Sequence, residues 1–534
     1  MADYGGVKAF DAKYHLAKHK RDALRPLIED CYRHVLPLQE RRRPQNKSQD
    51  TEPDFTDLYD STAAAAAQNL ASEMLDDLWP VDSKPFTLAL GEHAKVDSGL
   101  RKRIDKELAH RADILIEAIN NSGDNEGEGW YAAAHEAMLD WTIAQGTIAR
   151  HVGDAQCPIR FEALPLPTIC TLRGPYGATE CLFRNSRRKR SDILTLWPSA
   201  AGKVTGWTPE TMDIEEDVVE GIWRDRSNRD GVERWVTQVR ITGVTDLVSQ
   251  TVDEGIGSKP FIDFAYMRAS GETLGRGPAM LAMPDIRVLN TIKEMHLELL
   301  DLQLWGIWGY EDSSMNLDNL PPLSPRAVIP FEPGTKGLQR IDGSPNANAI
   351  EHVVASLQAN INDVLYGLDL GPTDKTPRSA TEVMARQSMR SRRRAGPNAR
   401  LVSGLLGQTV KTTNWTLTKK GLLEKINLDG KEVVIKPLSP ITRSQQLDDV
   451  LRFDKFAELM LKNYGQAALL TVSSLDQVGP WVGKKIGVDE RMLAAPEAIR
   501  AGQAQLVQAA ISQQQGAPST TPTAGGGKQM PTAA

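Results

Sequence analysis

Residues 59–80, YDSTAAAAAQNLASEMLDDLWP, place Ala63, Ala66, Ala67, Leu70, Met74, Leu75 and Leu78 on one stripe at helical spacing. Gln68, Asn69, Ser72, Glu73, Asp76 and Asp77 fall away from it. Asp60 or Ser61 can cap the start and Pro80 supports a stop, so the pattern predicts a helix whose first half is smooth. Small alanine side chains let a neighbouring backbone come close, which suits tight helix packing. None of them offers acid, base or nucleophile chemistry, so function must be sought elsewhere.

The same reading extends along the chain. Residues 8 to about 40 predict one helix rich in Lys, His and Leu, closed by RRRPQNKSQDTEPD, and the pair GLRKRIDKELAHRADILIEAINNS and GWYAAAHEAMLDWTIAQGT keeps roughly the first 150 residues helical. From Ile159 the pattern shortens to IRFEALPLPTICTL, ATECLFRNS, ERWVTQVRITGV and PFIDFAYMR, the texture of strands and hairpins. Pro284 can then begin a helix reaching about Gly309, roughly 39 Å at 1.5 Å per residue. Its second half is apolar almost all round and needs cover on several sides, from its own chain or from copies of itself.

A Pro-rich stretch, NLPPLSPRAVIPFEPGTKGLQRIDGSP, leaves room only for short strands at 326–331 and 336–341. Ile350, Val354, Leu357, Ile361, Val364 and Leu368 then alternate by four and three, an amphipathic helix, so two long helices flank one small projection. After DLGPTDKTPR, Ser379 and Glu382 have capping-box spacing and open a helix ending in RSRRRAGP. Further helices fit ARLVSGLLGQTVKTTNWTL, QQLDDVLRFDKFAELMLKNYG and DERMLAAPEAIRAGQAQLVQ, with a short strand in KEVVIKPL. The last 20 or so residues hold too few apolar groups for a core.

Composition narrows the field. At 534 residues the chain suggests about three or four structural units, and the patterns make it α+β, mainly α. A net charge of −6 gives no global clamp on nucleic acid, so any DNA contact is expected to be weak. Cys31, Cys157, Cys170 and Cys181 form no C-x-x-C pair and read as reduced structural thiols, not as metal ligands. The polar N-terminus carries no secretion signal, and MHLELLDLQLWGIWGY, interrupted by Glu298 and Asp301, is too short to span a bilayer, so no membrane partner is expected.

Catalytic signatures are missing: there is no phosphate-binding G-x-x-x-x-G-K-[ST], no G-x-S-x-G elbow, and neither His15 with His19 nor His135 with Glu136 completes a zincin motif. No catalytic residue and no cofactor are assigned. GRGPAM half-matches a dinucleotide fingerprint, but Gly275 and Gly277 read better as a bend requiring positive φ. Three basic runs, Arg41 to Arg43, Arg184 with Arg187 to Arg190, and Arg390 with Arg392 to Arg394, lack interleaved aromatics. They read as a solvated face or salt bridges between chains before phosphate contacts.

YDSTAAAAAQNLASEML with its Leu-Trp-Pro ending, GRGPAMLAMPDIRVLN and PRSATEVMARQ, in that order, resemble the portal, or head-to-tail connector, proteins of short-tailed bacteriophages, over about residues 8–505. The resemblance implies a portal-type subunit with a helical wing part at 1–155, a β-rich wing part at 156–274 and a first stem helix at 275–311. It continues with a clip at 312–347, a second stem helix at 348–368 and a tunnel loop at 369–379. Wing helices with a short strand follow at 380–439, then a helical crown at 440–510 and a disordered tail at 511–534.

In function it implies a homo-oligomeric ring, usually of 12 subunits, at one capsid vertex of a virion assembled in the host cytoplasm. That ring would be the channel for double-stranded DNA packaging and ejection, touching DNA transiently. The large terminase, a tail adaptor and the major capsid and scaffolding proteins are its implied partners, and another protein supplies the energy. Thr373, Asp374, Lys375 and Arg378 become DNA-channel candidates; Pro321, Pro322, Arg326 and Lys336 become docking candidates. Two other readings stay open. A tail-tube or adaptor protein would share oligomeric helices but needs no clip between two long helices, and a nucleic-acid enzyme without a motif would need converging titratable groups.

Overall fold

The first predicted helix breaks in two: α1 (Val7–Asp22) and α2 (Arg25–Val35) meet at Ala23 and Leu24, with Pro26 in the first turn of α2. Proline fits a first helical turn, where its missing N–H would be unbonded anyway, so it restarts the chain there. The computed structural model describes residues 6–37, 57–81, 83–91, 98–123, 129–204, 207–226, 232–268, 271–305, 308–311, 328–331, 347–365, 396–426, 433–438, 449–450, 452–463, 478–479 and 481–483.

The alanine helix is α3 (Thr62–Leu78), and Ala63, Ala66, Ala67, Leu70, Ala71, Met74, Leu75 and Leu78 are all buried on it. Its first turn is held by Asp60, whose Oδ1 accepts the Thr62 N–H at 2.8 Å; Ser61 makes no side-chain cap bond. The smooth face packs against α2, α5 (Trp130–Ile143) and α8 (Ala347–Val364) of the same chain. Close approach is therefore used inside the chain.

α4 (Ser98–Asn120) lies beside β1 (Phe86–Leu90), which pairs antiparallel with β12 (Val433–Pro437) across nearly the whole first unit. Directly after α5 the chain enters β2 (Gln145–Val152), so the helical region ends a few residues earlier than its pattern suggests. β2 is the centre of a three-stranded antiparallel sheet between β3 (Ile159–Ala163) and β9 (Phe261–Ala265). A second antiparallel sheet runs in sequence order: β4 (Ile169–Arg173), β5 (Thr179–Lys189), β6 (Glu215–Arg224), β7 (Arg234–Ile241) and β8 (Ser249–Glu254). α1 closes one side of it, setting Phe10 edge-on to Phe183 at 5.4 Å beside Trp223.

The basic run that ends β5 and opens the short helix α6 (Arg190–Leu196) lies against acids at and just before the start of β6. Arg187 meets Asp217 at 2.8 Å, Arg190 meets Glu216 at 2.6 Å and Lys189 reaches Asp213 at 3.4 Å, while Arg184 holds Glu162 of β3. These charges are paired within one chain. Half-exposed pairs contribute only about 0.2–1 kcal/mol each, but a slipped register would set the ladder against its neighbours. The other two basic runs lie outside the described residues. All four cysteines are buried free thiols, and burial pushes Cys31 and Cys181 up to about 12 and Cys170 to about 11, which makes these three poor nucleophiles.

Gly275 and Gly277 do not have positive φ. They are glycine because the chain passes hard against the end of α5. A Cβ on Gly277 would sit 2.1 Å from the Thr142 carbonyl oxygen, and one on Gly275 would sit 2.5 Å from that of Ala144. The Gly277 N–H donates to the Ile143 carbonyl at 2.7 Å, so the contact is a bonded crossing of backbones.

That crossing launches α7 (Pro278–Trp305), which starts six residues before Pro284. Pro278 takes the first position, and Pro284 sits on the solvent side, where water can satisfy the carbonyl its missing N–H leaves free. The helix stops at Trp305, and β10 (Trp308–Glu311) pairs parallel with β11 (Val328–Phe331). β11 falls in the first predicted short strand; the second, at 336–341, and the capping box at Ser379 lie outside the described residues. Further on, a helical run from 396 holds a π-turn at Val402–Leu406 and continues as α9 (Gly407–Lys419).

The chain divides into two units, Met1–Ser439 and Pro440–Ala534. In the second, residues 452–463 are helical, and Phe453 packs edge-on against Trp481 at 5.8 Å. Among the described residues no helix is long and apolar enough to cross a membrane, and no three His, Cys, Asp or Glu side chains converge as a metal site.

Candidate subunit interface

Among the described residues, α7 is fastened to its own chain along one side. Arg287 donates to Asp30 of α2, with Nε at 2.8 Å, and Asn290 both accepts from the Tyr59 N–H at 2.8 Å and donates to the Asp57 carbonyl at 2.9 Å. One turn on, Lys293 reaches Asp60 at 2.5 Å while the Tyr59 hydroxyl donates to Glu294 at 3.3 Å.

Asp60 is the centre of this fastening. Besides capping α3 and meeting Lys293, its Oδ2 accepts from Gln358 Nε2 of α8 at 3.2 Å. One buried carboxylate therefore ties the alanine helix to both long helices. Burial alone would push its carboxyl up, but bonds from Lys293, Thr62 and Gln358 outweigh that and hold it below the usual carboxylate range.

The buried side of α7 carries Ala279, Ala282, Ile286 and Leu289. At 100° per residue, Leu297, Leu300 and Leu304 continue that same stripe, yet they are exposed, Leu304 by 78%. The described residues of the chain no longer cover the helix there. A second exposed stripe, Leu281, Val288 and Met295, repeats every seven residues on the far side, about 150° around the helix from the first. The helix thus presents two apolar faces that its own described residues leave in solvent. α8, fastened beside it, adds the exposed Val353.

The base on which α7 stands is braced by buried charges. Asp263 of β9 accepts from Thr179 at 2.6 Å, from Arg268 at 2.9 Å and from Lys259, while its backbone carbonyl accepts from Gln408 of α9. Burial would raise this carboxyl, but Lys259 and Arg268 bring it down to about 2. Arg150 of β2, also buried, donates to Thr416 of α9 at 3.0 Å and to Asp253 of β8 at 3.2 Å, with Trp415 stacked 4.4 Å from its guanidinium. Arg111 of α4 grips Asn414 at 2.6 Å. These bonds fix α9 against both sheets and α4.

What the described residues of α7 present is exposed apolar surface. Thr373, Asp374, Lys375 and Arg378 lie outside the described residues, as do Pro321, Pro322, Arg326 and Lys336. The sequence pattern pointed to the apolar second half of α7 but passed over Leu281 and Val288, although their seven-residue spacing to Met295 was legible. The Asp60 junction joins residues nearly 300 positions apart, and no local pattern signals it.

Residues 7–493 match a family model described as bacteriophage head to tail connecting protein. Among solved structures, a chain from the virion of a native gene transfer agent particle is 10% identical at a TM-score of 0.36, over 76% of this chain and 87% of that one. A chain from the neck of an empty gene transfer agent particle, computed with C6 symmetry, is 12% identical at 0.35, over 74% and 85%. No curated protein matches.

Proposed function

Because the chain belongs to the bacteriophage head to tail connecting proteins, we propose that it is a portal subunit that closes into a ring and passes double-stranded DNA. The observation that carries this reading is α7 with its two separate apolar faces. A two-fold dimer uses one patch twice, whereas a head-to-tail contact uses two different patches and closes into a ring when the rotation allows. Each α7 would then meet a neighbour on either side, with α7 and α8 as the paired stem and 312–347 as the clip between them. Twelve subunits fit the family resemblance, and the large terminase, tail adaptor, major capsid and scaffolding proteins would be the partners. Imaging purified full-length chain as single particles tests the reading. Closed rings are expected, and folded monomers across a wide concentration range would overturn it.

Two parts of the reading concern particular residues. The loop 369–379 would line the channel, where Asp374 and Lys375, repeated around an axis, set a positive belt beside a negative one that grazes phosphates without holding them. Replacing Lys375 and Arg378 with alanine should leave rings unchanged and alter the packaged length or retention of DNA. Unchanged packaging and leakage would remove the loop from the channel. Deleting 321–340, which includes Pro321, Pro322, Arg326 and Lys336, should preserve rings while abolishing motor or adaptor binding, because a Pro-rich projection is a rigid display surface. Binding that survives the deletion would place docking elsewhere.

A further inference from the structure

Where the three-stranded and five-stranded sheets meet, two buried side chains of β2 have no hydrogen-bond partner among the described residues. Gln145 and Thr147 are 1% and 0% exposed, and Gln145 Nε2, Gln145 Oε1 and Thr147 Oγ1 are all unbonded. Both side chains lie on one face of β2, since residues two apart in a strand point the same way. Thr147 stands opposite Asp263 of β9 and Gln145 opposite Ala265, so this is the face from which Asp263 reaches Thr179 of β5 at 2.6 Å. Thr179 in turn stands opposite Arg173 of β4. Opposite side chains of an antiparallel pair start about 5 Å apart, so Thr147 and Arg173 approach the Asp263–Thr179 bond from the two sheets. Arg173 donates its Nε–H to the Thr273 carbonyl at 2.8 Å, while its Nη2 is buried and unbonded.

Charge decides what completes this cluster. Lys259 and Arg268 share the Asp263 carboxylate, and Arg276 holds Glu272, with Nε on one of its oxygens at 2.9 Å. Among the described residues no carboxylate pairs with Arg173. Burial and then the neighbouring Arg268 push its guanidinium below the ordinary value, although Asp263 and Glu272 act the other way. A water molecule can satisfy Gln145 and Thr147, but it leaves the surplus positive charge uncompensated, and buried charges are ordinarily paired. We propose that Gln145, Thr147 and Arg173 form a buried site for one small inorganic anion, of the size of chloride. The amide and the hydroxyl donate to the ion and the guanidinium supplies the opposite charge. Lys259 and Arg268 keep Asp263 compensated, so its carboxylate does not drive the ion out. The bound ion joins β2 to β4 at the base on which α7 stands, whether or not rings form.

The test is thermal melting of the full-length chain in potassium chloride against potassium gluconate at equal concentration. The unsubstituted chain should melt higher in chloride, and above the dissociation constant each tenfold rise in chloride should lower its unfolding constant about tenfold. Thr147→Val and Gln145→Met keep the shape of each side chain and remove its donor, so each should melt lower and lose the chloride dependence. Thr147→Ser keeps the hydroxyl and should retain it. Arg173→Met should abolish it as well, which a site filled by water does not require. An equal chloride response in the unsubstituted chain and every variant would mean a bulk salt effect and overturn the proposal. So would a Thr147→Val or Gln145→Met chain that melts higher than its parent, because removing a buried polar group that truly lacks a partner relieves its cost. Destabilised variants beside a parent indifferent to chloride would mean ordered water only, and would overturn it too.

Discussion

Replacing Leu281, Val288 and Met295 together with aspartate is expected to block the proposed ring and leave a folded monomer. Burying a Leu, Val or Met side chain fully is worth about 1.5–3 kcal/mol; these three are 59%, 49% and 61% exposed, so a neighbour covering the rest would gain roughly 1 kcal/mol from each. Loss of about 3 kcal/mol per contact weakens association more than a hundredfold, before counting the penalty for carboxylates pressed into an apolar contact. The fold should survive, because aspartate on the solvent side of a helix costs well under about 1 kcal/mol per position. A second variant, Leu297→Asp, Leu300→Asp and Leu304→Asp, should do the same from the opposite face. Mixing the two monomers then discriminates between kinds of contact. Each retains the face the other lacks, so a head-to-tail contact predicts dimers that grow no further. Light scattering reads this directly: rings in either variant alone, or a mixture that stays monomeric, would refute the two-face assignment.

How much of this was legible beforehand follows from the range over which each feature is encoded. The alanine stripe was read residue for residue because a helix writes its buried face into its own period, and only Ala71 was missed. The strands β3, β4, β5, β7 and β9 were marked by alternation and breakers, while β1 was passed over. Its five residues gain a partner only at β12, well over 300 positions later. Pro284 suggests a start because proline fits the first turn of a helix. The true start at Pro278 depends on Gly277 fitting against Thr142, a contact with no sequence period. The exposed faces of α7 were half legible for the same reason: an all-apolar helix announces that something must cover it, whereas the Asp60 junction that fastens it to α3 and α8 is purely tertiary.

The largest loss of stability is expected from Asp263→Asn, and its pH dependence identifies the cause. The asparagine carbonyl can still accept from Thr179, but Lys259 and Arg268 lose their counter-charge beside a fully buried site. Breaking a buried pair by removing one partner costs about 3–5 kcal/mol. The lower end applies here, since Arg268 is partly exposed and can turn to water, and Lys259 keeps its place 4.2 Å over the Phe261 ring. Because the folded-state carboxyl lies at about 2, below its ordinary 3.8, the charged form stabilises the fold at all pH above about 4. That contribution, about 2 kcal/mol at 1.36 kcal/mol per unit, is lost as pH falls through the folded value near 2. Chemical denaturation of both proteins between neutral pH and pH about 2 should therefore show a gap that narrows as acid is added. A gap that stays constant with pH would assign the loss to altered packing, and a gap under about 1 kcal/mol at neutral pH would show that the Asp263 carboxylate does not brace β9 against Thr179 of β5.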